Sequence, residues 1–210
     1  MSIHVQTHPL GLLQANCYLV IADDAEAAVA IDPGGPPGTV LASLARAQKQ
    51  LTHILLTHAH FDHIGGVAEL MRTTGAALGL HAADLPLLDA RGGADDFGLS
   101  LEPCPAPTLL IAAPQTLQVG TMRLEALHVP GHTPGHLAFY LPEAKSVFTG
   151  DVLFQQGIGR TDLPGGDQRA LMASIREVLF ALPNDTRVYP GHGSSTTIGD
   201  EKRFNPFVAE

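Results

Sequence analysis

The stretch Thr57-His58-Ala59-His60-Phe61-Asp62-His63-Ile64-Gly65-Gly66 places four ligand-type side chains in six positions, directly after an apolar segment. That segment, His53–Thr57, reads as a buried strand. His58 and His60 are two residues apart, so on extended backbone they project to the same side and can share one borderline-soft divalent ion. Asp62 and His63 fall where the chain turns towards a helix, so they address a different point in space. Four such residues therefore suggest two metals rather than one. Gly65 and Gly66 let the backbone pass close to the site.

A catalytic metal needs about three protein ligands and an open position for water. Three further places in the chain offer them. His132 lies in Pro130-Gly131-His132-Thr133-Pro134-Gly135-His136, Asp151 in Thr149-Gly150-Asp151, and His192 in Pro190-Gly191-His192-Gly193. Each follows a strand-like run and opens a glycine-containing loop, where rigid scaffolds commonly carry functional residues. His4, His8, His53, His81 and His128 stand alone and read as ordinary solvated or hydrogen-bonded histidines.

Around these places, short apolar strands alternate with helical patterns. Cys17–Ile21 and Ala28–Ile31 read as a hairpin ending at Asp32-Pro33-Gly34-Gly35. Thr39 is expected to cap a helix reaching Gln50 with Val40, Leu41, Leu44 and Ala47 inward. A second helix is expected from Ile64 to Arg72, stopped near Gly75, and a third from an Asp167 cap to Phe180. Further strands are expected at Leu78–His81, Leu117–Val119, Thr121–Val129, Leu137–Leu141, Ser146–Thr149 and Arg187–Tyr189, and residues 89–108 as loop with a helical turn. Two groups of strands with accompanying helices suggest sheets packed on each other, in one domain over residues 1–210.

Net charge is −9, from 12 Lys+Arg and 21 Asp+Glu. That balance argues against nucleic acid and against anionic membrane surfaces as partners. Cys17 and Cys104 are too few for a disulfide framework, and Cys17 reads as a small buried hydrophobe. Met1–Leu10 lacks a signal-peptide pattern, and no run reaches the ~18 apolar residues of a membrane helix. The expectation is a cytoplasmic, reduced protein.

The His58-Ala59-His60-Phe61-Asp62-His63 run, followed in order by His132, Asp151 and His192, resembles the metallo-β-lactamase superfamily. The resemblance extends from Asp32-Pro33-Gly34 to Pro190-Gly191-His192-Gly193. It implies a mixed α/β fold, a four-layer αββα sandwich. It implies a first ion on His58, His60 and His132, a second on Asp62, His63 and His192, and Asp151 bridging both. Zinc heads the implied metals, with iron and manganese also suited to histidine and carboxylate.

Within the superfamily, Gly150-Asp151-Val152-Leu153-Phe154, Gly157-Ile158-Gly159-Arg160-Thr161-Asp162-Leu163-Pro164-Gly165-Gly166 and Arg203-Phe204-Asn205-Pro206-Phe207 are similar to the glyoxalase II-type thioester hydrolases in a short bacterial form. Only 18 residues follow His192, so the helical domain with which longer members grip glutathione is expected to be missing. The implied reaction is hydrolysis of S-lactoylglutathione or a similar small acyl thioester. Two cations lower the pKa of a shared water, and a thiolate leaves without a strong general acid. Asp62 and Asp151 are the candidate catalytic carboxylates. Arg160 is a candidate contact for a substrate carboxylate, against a simple pair with Asp162 or Asp167. Asp32 and His136 are candidate supports of the ligand loops, against a turn-fixing Asp and a structural His. The alternative function is an iron-dependent persulfide dioxygenase, whose family shares a Gly-Arg-Thr-Asp segment and uses one iron held like the first ion.

Overall fold

Ala15–Ala22 is buried at every position, as expected of a strand covered on both faces, and it lies inside the first of two six-stranded sheets. The computed structural model describes residues 2–208. They divide into two compact units: one runs to Ile111 and includes Gln118–Met122, the other comprises Ala112–Leu117 and the chain from Arg123 onward.

The sheet of the first unit runs β1 (Ile3–Leu10), β2 (Ala15–Ala22), β3 (Ala27–Ile31), β4 (Gln50–Leu55), β5 (Ala77–Leu80) and β6 (Leu109–Leu110), in that spatial order. The first three strands are antiparallel, and β3 to β6 are parallel. Parallel neighbours need long crossovers. Helix α1 (Gly38–Ala47) joins β3 to β4, and α2 (Phe61–Ile64) with α3 (Val67–Thr74) joins β4 to β5. Val40 and Leu44 of α1 and Val67 and Leu70 of α3 enter the same core as Leu19, Ile54 and Leu78.

The expected helix cap at Thr39 is corrected: Pro37 occupies the cap without a side-chain bond, and the helix ends at Ala47 rather than Gln50. The helix expected from Ile64 is two pieces, because the chain breaks at Gly65 and Gly66 before α3 begins; α3 then closes on Gly75 with φ +71°. β1 was not expected. Its Pro9 and its alternating exposure suit an edge strand, which pairs only with β2. Residues 85–97 hold more helix than one turn: α4 (Leu85–Asp89) and a 3₁₀ segment, Arg91–Phe97, kinked at Gly92 and Gly93.

The second sheet has the spatial order β14 (Thr196–Thr197), β13 (Arg187–Pro190), β10 (Ser146–Gly150), β9 (Leu137–Leu141), β8 (Met122–His128) and β7 (Gln115–Val119). A small hairpin, β11 (Leu153–Phe154) and β12 (Gly157–Ile158), forms its own ladder and packs against β13 and β10. β9 is antiparallel to both β8 and β10, and β10 is parallel to β13. So β8, β10 and β13 point the same way, and their carboxyl ends share one edge.

Helix α5 (Gln168–Ala173) starts at the expected cap: Asp167 accepts from the amides of Arg169 and Ala170. The helix does not run uniformly to Phe180. Ser174–Val178 takes the wider π spacing, and Leu179–Ala181 tightens to 3₁₀. Buried Ser174 donates to the carbonyl of Pro130, tying this helix to the loop that carries His132. A last helix, α6 (Ile198–Phe204), was also not expected. No helix among the described residues is long and apolar enough to cross a membrane.

Candidate metal centre

In the first unit, β3 and β4 lie side by side and parallel, with Ile31 opposite Leu55. Residues just past their carboxyl ends therefore meet. Asp32, at φ 52° and 2% exposed, sends one carboxylate oxygen to the amide of Thr57 at 2.7 Å. Its other oxygen accepts the Thr57 hydroxyl at 2.6 Å and His63 Nδ1 at 3.0 Å. This small network fixes the state of two imidazoles. A carboxylate can only accept, so His63 carries its proton on Nδ1. The Thr57 hydroxyl proton is committed to Asp32, so its oxygen accepts from His58 Nδ1 at 3.0 Å. Both rings are thereby held in the tautomer whose Nε2 presents a lone pair, the form a metal requires.

The four residues of the central run converge. The ring of His58 lies 4.9 Å from that of His60 and 4.2 Å from that of His63, centroid to centroid. His63 Nε2 is 3.7 Å from Asp62 Oδ2. His58 and His63 are fully buried, where a polar ring is costly unless its nitrogens are engaged. The run is held by close backbone packing: a Cβ on Gly34 would sit 1.6 Å from the carbonyl oxygen of Asp62. Asp84, also buried, supports the run from the next strand's loop by accepting from the amide of Ala59.

In the second unit, the shared edge of β8, β10 and β13 gathers His132, Asp151 and His192. Gly150 pairs with Pro190, and the Gly191 amide donates to the Gly150 carbonyl, so the loops with Asp151 and His192 run side by side. Asp151 Oδ2 lies 3.7 Å from His132 Nε2 and 3.7 Å from His192 Nε2. That is too long for a hydrogen bond. Each distance leaves room for an ion bonded to both atoms at about 2.0–2.1 Å. His132 donates from Nδ1 to the carbonyl of Arg160 at 2.8 Å, which again leaves Nε2 as the lone-pair nitrogen. His136 uses its own Nε2 to accept from the Asp151 amide at 3.1 Å, so it braces the Asp151 backbone. A Cβ on Gly159 would meet the Asp151 carbonyl oxygen at 1.9 Å, which reserves that position for glycine.

The donor residues suit divalent cations in type and spacing, and His58, His63 and His132 in tautomer as well. The Arg160 guanidinium forks onto Asp162 with two bonds of 2.7 Å, holding that carboxyl down at about 2. The pair stands in solvent. Of the two readings of Arg160, the structure shows the pair with Asp162, and its carbonyl serves His132. Thr57 and Asp84 were not singled out from sequence; Thr57 lay in plain sight inside the quoted run.

Four of the lone histidines have local partners: His4 pairs with Asp23, His53 with Thr52, and His128 with the Pro134 carbonyl, while His81 accepts from the Ala83 amide. Burial pushes the Cys104 thiol up to about 12 and the fully buried Cys17 thiol higher still.

A sequence model of the metallo-β-lactamase superfamily matches residues 10–192. A hydroxyacylglutathione hydrolase, GloC, of Haemophilus influenzae is 40% identical over 98% of this chain and 98% of its own. Among solved structures, the BLEG-1 B3 metallo-β-lactamase is 40% identical, with a TM-score of 0.93 over 99% of this chain and 100% of its own. TTHA1623 in a di-iron-bound form is 44% identical, with a TM-score of 0.87 over 96% of this chain and 99% of its own. With its two sheets, its helices and a match across most of its length, the chain belongs to the metallo-β-lactamase superfamily of metallo-hydrolases.

Proposed function

We propose that the protein is a dinuclear metal-dependent hydrolase of small acyl thioesters, of the glyoxalase II type, working as one domain over residues 1–210. His58, His60 and His132 would hold one ion, Asp62, His63 and His192 the other, with Asp151 between them. The observation that carries the dinuclear reading is the single Asp151 oxygen at 3.7 Å from the Nε2 atoms of both His132 and His192. The likeness to GloC, at 40% identity over nearly the full length of both chains, supports thioester chemistry.

When bound, two such ions supply hydroxide near neutral pH and polarise the thioester carbonyl. The protein's part is to hold and orient. Asp32 and Thr57 keep His58 and His63 in the metal-binding tautomer. The Arg160 carbonyl does the same for His132, and His136 fixes the Asp151 backbone. Asp62, partly open to solvent, would accept a hydrogen bond from the attacking group as well as ligate. The leaving thiolate needs no strong acid, and none stands among these residues. Zinc suits this donor set, and the di-iron TTHA1623 form supports iron as an occupant as well.

A second reading, an iron persulfide dioxygenase with one iron on His58, His60 and His132, shares the Gly159-Arg160-Thr161-Asp162 segment with the hydrolase reading, and a likeness to ETHE1 of Myxococcus xanthus, 30% identical, supports it. The likeness to BLEG-1 adds β-lactam hydrolysis to the comparison. The test is steady-state kinetics of the zinc-loaded protein on S-lactoylglutathione, with a cephalosporin as second substrate. Oxygen uptake by the iron-loaded protein with glutathione persulfide completes the set. Thioester hydrolysis that collapses by about 100-fold or more in both His63→Ala and His192→Ala is expected, by the usual cost of removing a ligand. Oxygen uptake that survives both substitutions, without thioester hydrolysis, would assign the second reading.

A further inference from the structure

The segment Arg203-Phe204-Asn205-Pro206-Phe207 contributes nothing to the donor set, yet Asn205 is fully buried, and so is Glu201 one helical turn before it, at 1% exposure. Glu201 lies within helix α6 and Asn205 caps its end. The start of this helix is fixed to the body of the second unit. Ile198 enters the core, its amide donates to the Thr186 carbonyl at 3.0 Å, and the Gly199 amide donates to the Asn184 carbonyl at 2.9 Å. The other end of the helix meets the β11–β12 hairpin.

Glu201 Oε2 accepts from the Gln156 amide at 2.9 Å and from the Asn205 side-chain amide at 2.8 Å. The same Asn205 nitrogen donates to the Gly157 carbonyl at 3.0 Å. Glu201 Oε1 accepts the Thr196 hydroxyl at 2.6 Å. Two side chains of α6 thus engage a backbone donor and a backbone acceptor on adjacent residues at the hairpin turn, where Gln156 stands at φ 55°. The hairpin itself is short, with Leu153 opposite Ile158 and Phe154 opposite Gly157, and a two-stranded hairpin is marginal alone. Hydrogen bonds to a carboxylate are stronger than those between neutral groups, and a buried carboxylate loses much when its donors move away. The contact therefore resists displacement of the turn.

This hairpin lies between two parts of the candidate centre. Asp151 stands two residues before it, and Arg160, whose carbonyl holds His132, two residues after it. The Gly159 amide closes its base on the Val152 carbonyl at 3.1 Å. The Phe154 ring faces the His192 ring edge-on, with centroids 6.4 Å apart. We propose that Glu201 and Asn205 are positioning residues for the metal centre: they clamp the hairpin turn and so keep His132, Asp151 and His192 at ligand spacing. The inference rests on those three residues as metal donors and on no choice of substrate.

The test compares the full chain with Asn205→Ala, Thr196→Val and Glu201→Gln, by zinc affinity against a chelator and by amide hydrogen exchange of the metal-free proteins. Asn205→Ala removes the bond to the Gly157 carbonyl and one donor from Oε2, whereas Thr196→Val removes only the Oε1 contact. Both leave the buried carboxylate short of a donor, so both should lower Tm by a few degrees. Only Asn205→Ala should weaken zinc binding, by about tenfold, and speed exchange of the Gln156 and Gly159 amides. Thr196→Val should bind zinc within about twofold of the natural protein. Glu201→Gln should do the same, because its carbonyl oxygen can take both hairpin-side donors while its amide faces the Thr196 oxygen. Zinc affinity that merely follows Tm across the three variants, or is unchanged in Asn205→Ala, overturns the clamp. A Gln156 amide that exchanges without protection in the natural protein also overturns it. Either result leaves the donor set standing, since the natural protein still binds zinc; a natural protein that binds none overturns both.

Discussion

Asp32 shows how one side chain can decide the chemistry of another. Its Oδ2 accepts from both Thr57 and His63, so an amide in that place would turn a donor towards two donors. Asp32→Asn keeps the shape, and Asn tolerates the φ of 52° found there. Zinc affinity, measured by competition with a chelator, should fall about 10- to 100-fold, with the fold intact by circular dichroism. An unchanged affinity would reduce Asp32 to a turn residue. For Arg160 the prediction runs the other way. Because its guanidinium is held by Asp162, Arg160→Ala should change KM for S-lactoylglutathione by no more than about threefold, below the loss of a charge-assisted contact. The substitution should instead raise the Asp162 pKa from about 2 towards the ordinary aspartate value. The sign follows from the pair: a carboxyl depressed in the folded protein stabilises it above the ordinary value, and that contribution is lost as pH falls towards 2. An NMR titration of Asp162 that does not move would show that the pair does not persist in solution.

At the scale of elements, what was legible followed from periodicity and what was missed followed from pairing. The strands Leu137–Leu141 and Arg187–Pro190 and the Asp167 cap were readable because local pattern and tertiary role agree there. β1 was illegible because an edge strand tolerates Pro9 and needs only one buried face. Helix α6 carried a signal that was passed over: Thr197 caps it by accepting from the Asp200 amide, in a Thr-x-x-Asp pattern. His58, His60, His132, Asp151 and His192 were readable as candidates because each stands a few residues past a strand, whereas Asp62 and His63 open the helix Phe61–Ile64. The Asp32–Thr57–His63 network was not readable, because only the parallel register of β3 and β4 brings residues 25 apart into contact. The loop carrying Asp151 yields a direct check. Gly159→Ala would force backbone against backbone, at about 1–3 kcal/mol and a few degrees in Tm, and should also weaken metal binding by shifting Asp151. Unchanged Tm and metal content would mean that this contact does not position the carboxylate.

For the molecule as a whole, family and fold are settled more firmly than substrate. A chain 40% identical to a hydroxyacylglutathione hydrolase and 40% identical to a structure titled a B3 metallo-β-lactamase takes its fold from both and its activity from neither. What distinguishes the activities is the occupancy of the centre and the surface around it. The seven-donor set predicts two ions and depends on Asp151 as the shared ligand, whereas a mononuclear oxygenase would need only His58, His60 and His132. The most direct measurement is the metal content per chain of the purified protein reconstituted with zinc, compared with Asp151→Ala prepared identically. The dinuclear account predicts two ions per chain in the natural protein and one or none in the variant. One ion in the natural protein, or two retained in the variant, would contradict it.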